Sequence, residues 1–142
     1  MIEELAHPEI EFLLLADRVE VINGKLYMMG GAWDRLHVGD FSQPSAFGLT
    51  VGVLVPWLGT NQDHPVTISI EDADGRKITP DLQARVHVVR PAHAIAGQSF
   101  RGMIAVNGFW KLPGPGSFRA VATLADGSAK HATFYVTAAA TV

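Results

Sequence analysis

Cysteine is missing from all 142 residues. Its absence excludes a disulfide scaffold, a thiolate nucleophile and a Cys-ligated zinc. Charge is sparse as well, at 18% of residues, and 14 acids against 11 bases give a net charge of −3 with no long run of either sign. Nothing builds the basic stripe that a phosphate backbone requires, so no nucleic-acid partner is expected. No apolar run approaches the roughly 20 residues that span a bilayer, and no membrane partner is expected either. The opening "MIEELAHPEI" is acidic and has no apolar h-region, so it does not read as a secretory signal. A cytoplasmic protein of bacterial type is the expectation.

What is present is apolar and alternating. Hydrophobic residues make up 48% of the chain, enough to bury a core, and residues 1–142 are expected to form one domain without linkers. No long segment carries a helical stripe; period-2 patterns recur instead. In "VEVINGKLYMM", Asn23-Gly24 marks a two-residue type I′ hairpin that sets Val21 opposite Leu26 and Val19 opposite Met28. Gly30-Gly31 is expected to form a bulge before "AWDRLHV" continues the same strand. "AFGLTVGVLV" puts Phe47, Leu49, Val51, Val53 and Val55 on one face, leaving Gly48, Thr50, Gly52 and Leu54 on the other. "PVTISIE" and "LQARVHVV" alternate likewise, "FRGMIAVNGFW" reads as a further strand, and "RPAHAIAGQS" reads as one short helical turn.

The segment "KLPGPGSFRAVATLADGSAKHATFYV" contains a Gly-Pro-Gly element. A phosphate cradle needs consecutive free N–H groups that lead into a helix. Here two prolines remove donors and a strand pattern follows, so the element is a corner. The last hairpin admits two registers. A two-residue Asp-Gly loop would set Phe118 opposite Tyr135, whereas a three-residue loop, Ala125-Asp126-Gly127, sets it opposite Phe134. Burying both phenylalanines is worth a few kcal/mol, more than turn preference can oppose, and this selects the three-residue loop with Gly127 left-handed. The total is about eight strands at short spacing, the pattern of an antiparallel β-sandwich. With "ADRVEVINGKLYMMGGAWDRL" near the start, the "PGPGSF…ADG" hairpin resembles the closing hairpin of immunoglobulin-like and C2-like sandwiches, among small bacterial proteins of unknown function. That resemblance implies a fold and no reaction. Phe118 stands where those domains carry a tyrosine, which removes a tyrosine-corner hydrogen bond.

Few constellations could carry chemistry. In "IEDADGRKITPD", Asp72, Asp74 and Asp81 fall at calcium-loop positions when aligned on Gly75, but the first ligand position is Ile70; a solvated turn is the competing reading. The histidines His7, His37, His64, His87, His93 and His131 show neither His-x-His nor His-x-x-x-His spacing, and no cofactor is expected. No Gly-x-Ser-x-Gly elbow occurs. A His–Asp pair such as His64 and Asp63 would suit a hydrolase or isomerase. Trp57 and Trp33 could stack on a sugar or anchor a partner, against the alternative of core capping. The small face at Gly48, Thr50 and Gly52 would let another surface approach closely. The expectation is a non-enzymatic interaction module, homo-oligomeric and open to a protein partner, with a small-ligand or carbohydrate-binding domain as the alternative.

Overall fold

A computed structural model describes residues 6–139. Residues 1–5, half of the opening stretch read above for a signal, lie outside the described residues, as do residues 140–142. The described residues form nine strands: β1 Glu9–Ile22, β2 Lys25–Gly31, β3 Arg35–Val38, β4 Ser45–Val55, β5 Asp63–Asp72, β6 Leu82–His87, β7 Phe100–Trp110, β8 Gly116–Leu124 and β9 Ala129–Ala138. A 3-10 turn at Trp57–Gly59 interrupts them, and no turn of helix forms at residues 90–99. The strands make a four-stranded sheet in the order β2-β1-β4-β7 and a five-stranded sheet in the order β3-β9-β8-β5-β6. No helix among the described residues is long and apolar enough to cross a membrane.

Alternation explains the core. Phe47, Leu49, Val51, Val53 and Val55 of β4 are buried together with Leu13 and Leu15 of β1. Val66, Ile68 and Ile70 of β5 and Phe118, Ala120 and Ala122 of β8 complete the same cluster from the other sheet. Full burial of each large side chain contributes about 1.5–3 kcal/mol, so this shared face dominates stability.

Both hairpin registers follow the turn chemistry. Asn23 and Gly24 adopt φ 51° and 74°, and Val21 pairs with Leu26 and Val19 with Met28. In the last hairpin Gly127 sits at φ 88°, Leu124 and Ser128 close the three-residue loop, and Phe118 pairs with Phe134 at 5.9 Å between ring centroids. The Gly-Pro-Gly element links β7 in one sheet to β8 in the other, as a corner should.

Two expectations need correction. The strand through Gly30-Gly31 does not continue into "AWDRLHV": Gly30 and Ala32 take φ 55° and 62°, the ladder ends at Gly31, and β3 joins the opposite sheet. There β3 runs parallel to β9, with Arg35 against Tyr135 and Val38 against Ala138, so the sheets are not wholly antiparallel. The physical reason lies in Trp33, whose ring packs edge-on to Phe47 at 5.5 Å and Phe134 at 6.1 Å, drawing the chain across the core.

Candidate functional site

The second face of β4 is the one the sequence left with small side chains. Its small residues Gly48, Thr50 and Gly52 are buried. A Cβ at Gly52 would lie 2.2 Å from Cε1 of Phe12, and one at Gly48 would lie 2.7 Å from Oδ1 of Asn107. Asn107 therefore crosses Gly48 to reach β1: its Nδ2 donates to the Val19 carbonyl at 2.7 Å and its Oδ1 accepts from the Val19 N–H at 2.9 Å. The Thr50 hydroxyl donates to the Ile104 carbonyl at 2.8 Å. The close approach that small side chains permit is taken by this chain's own Phe12 and Asn107.

What that covering presents to solvent is again apolar. Residues directly opposite in a ladder share a face, so the register places Phe12 and Leu14 of β1, Leu54 of β4, and Met103 and Ala105 of β7 on the outer side of the four-stranded sheet. All five are half-buried, and Phe109, beyond Asn107 on the same side, is 79% exposed. Tyr27 and Met29 project from the β1–β2 hairpin beside Arg18 and Glu20, around a cleft of ≈ 110 Å³. A sheet with one face in water normally alternates to polar on that side; this one does not. The signal was present in the sequence as Phe12-Leu13-Leu14-Leu15, a run of both parities that fits a strand covered on both faces. Asn107 and Phe109 had no comparable signal, because their roles depend on which strands lie beside β4.

Charge stands at the margins of this face, as Arg18 and Glu20 by the hairpin and as an ion pair at the start of β7. Arg101 grips Glu11 bidentately, Nε to Oε1 at 2.6 Å and Nη2 to Oε2 at 2.9 Å. The hydrogen bond from Arg101 holds the Glu11 carboxyl below its ordinary range, against the opposing effect of desolvation.

The other sequence-derived candidates are scattered and locally satisfied. Asp63 bonds His87 Nδ1 at 2.8 Å and Arg85 at 3.2 Å, while His64 bonds the Gly59 carbonyl at 2.6 Å. The expected His64–Asp63 pair is thus split, because adjacent strand residues point to opposite faces. The His87 bond holds the Asp63 carboxyl low, with Arg85 adding to it. Asp72 accepts the N–H groups of Asp74 and Arg76 and so ties its own turn, whereas Asp81 pairs with Lys77 at 2.8 Å. Among the described residues no group of three or more His, Asp or Glu side chains is arranged to hold a metal ion.

Neither tryptophan stands free. The Arg90 guanidinium lies 3.8 Å from the Trp57 ring centroid and also bonds the Trp57 carbonyl, and Phe100 packs alongside. Trp33 belongs to the core contacts described above. A cleft of ≈ 150 Å³ between His7, Pro8, His64, Pro65 and the Leu124–Asp126 turn is nearly all apolar in its lining. There Asp126 is committed to the Ser128 hydroxyl and N–H, which hold its carboxyl low.

The model of a family of unknown function, DUF6941, matches residues 11–137, and the chain belongs to that family. No curated protein matches the chain.

Proposed function

We propose, from a family membership that carries no known activity, that this chain is a non-enzymatic β-sandwich interaction module that works as a homo-oligomer. Its layout is immunoglobulin-like or C2-like, a reading supported by two sheets that share one core and by the corner that carries β7 into β8. The observation that carries the functional reading is the outer face of the four-stranded sheet. Phe12, Leu14, Leu54, Met103 and Ala105 group on this face, and the exposed ring of Phe109 stands beyond Asn107 on the same side. Contiguous apolar surface of this kind marks a contact site in a water-soluble molecule. The polar groups that could have served chemistry are spent on turns and ion pairs, as with Asp63, Asp72 and Asp126.

Light scattering across a dilution series tests the reading. The expected result is a mass of two or more copies that falls toward one copy on dilution. A single-copy mass at every concentration up to the millimolar range would overturn it.

A further inference from the structure

The edge of the four-stranded sheet is β7, and its sequence "FRGMIAVNGFW" is nearly palindromic. About Ala105, Phe100 mirrors Trp110, Gly102 mirrors Gly108, and Ile104 mirrors Val106. Arg101 mirrors Phe109, and Met103 mirrors Asn107. We propose that two copies join β7 to β7, antiparallel, on a two-fold axis through Ala105, so that their four-stranded sheets become one sheet of twice the width. The proposal rests on the homo-oligomer reading and adds the strand, the register and the symmetry.

The edge is open to such a partner. Along its whole length β7 ladders with β4 alone, and among the described residues no other backbone hydrogen bond reaches it. Natural edge strands are normally blunted by shortness, proline, lysine or inward charge. The other three edges follow that rule. β3 has only four residues, β6 has six and carries Arg85, and β2 has seven and ends in Gly30-Gly31. β7 has 11 residues, no proline and one charge.

The register is selected by chemistry. An antiparallel pair on a two-fold sets each residue against its mirror position, and cross-strand neighbours of matched kind stabilise a ladder. Centred on Ala105, the pairing puts aromatic by aromatic, glycine by glycine and β-branched by β-branched. It also preserves faces. Arg101, Met103, Ala105, Asn107 and Phe109 all share the outer side, through their partners Leu54, Gly52, Thr50, Gly48 and Ala46. The single charge, Arg101, then meets the partner's Phe109, a ring that is 79% exposed in one copy and suited to a guanidinium. A register that met Arg101 with its own copy would oppose like charges. The two apolar outer faces end up side by side on the same surface of the widened sheet.

The absence of cysteine from the chain makes single-cysteine variants a clean test. Ala105→Cys should form a disulfide-linked dimer under mild oxidation at least tenfold faster than Arg101→Cys. In this register the two copies of position 101 stand roughly 26 Å apart at about 3.3 Å per residue. Phe109→Lys, at an exposed position, should keep the fold and weaken the dimer at least tenfold, since it sets lysine against Arg101. A wild-type protein that is dimeric, with Ala105→Cys linking no faster than Arg101→Cys and Phe109→Lys leaving the dimer intact, would overturn this interface while self-association stands. That outcome would include the case in which β7 takes a strand from a different protein. A monomeric wild type would remove both proposals.

Discussion

Single residues set the turns, and their conformations can be tested one at a time. Gly127 closes the last hairpin at φ 88°, a region that costs a residue with a Cβ about 1 kcal/mol, and a Cβ there would meet nothing within 4 Å. Gly127→Val should therefore lower the unfolding free energy by about 1–2 kcal/mol through backbone strain alone, read from a denaturant melt with an unchanged slope. No loss of stability would show that the loop relaxes into another turn. This position was legible in the sequence because two buried phenylalanines outweigh one turn preference. Gly52 was legible as small and illegible in purpose. Only the fold reveals that its missing side chain is the space that Phe12 fills.

At the scale of elements, β1 and β7 flank β4 and are tied across it by one side chain. Asn107→Ala would strip partners from both the N–H and the carbonyl of Val19, a residue that is 1% exposed. The expected cost is about 1–3 kcal/mol, the penalty for leaving such groups unpaired. Faster exchange of the Val19 amide should accompany it, and a melt within error of the wild type would show that water replaces the amide. The strands themselves were legible wherever alternation was strict, as in β4, β5 and β8. The passage of β3 into the opposite sheet was not, for the pattern of "AWDRLHV" is the same whether it extends β2 or crosses the core. What separates the two is the long-range packing of Trp33 on Phe47 and Phe134, and no local signal encodes that contact. The same limit hid the pairing of Asp63 with His87, which are brought together by the β5–β6 ladder.

At the scale of the whole molecule the two sheets are unlike. The five-stranded sheet carries short or charged edges, while the four-stranded sheet has a largely apolar outer face and, at β7, a long edge with a single charge. The alternation of β4 suggested a contact surface at Gly48, Thr50 and Gly52; the fold covers those residues with Phe12 and Asn107 and leaves the half-buried apolar side chains of their neighbours on that side. Hydrogen exchange of the unmodified protein at micromolar and at near-millimolar concentration tests this most directly, since it reads both association and location. Slower exchange is expected at high concentration for β7 amides and for the neighbouring outer face, with β3, β5, β6, β8 and β9 unchanged. Exchange in β7 that is independent of concentration, or protection appearing in the five-stranded sheet instead, would contradict it.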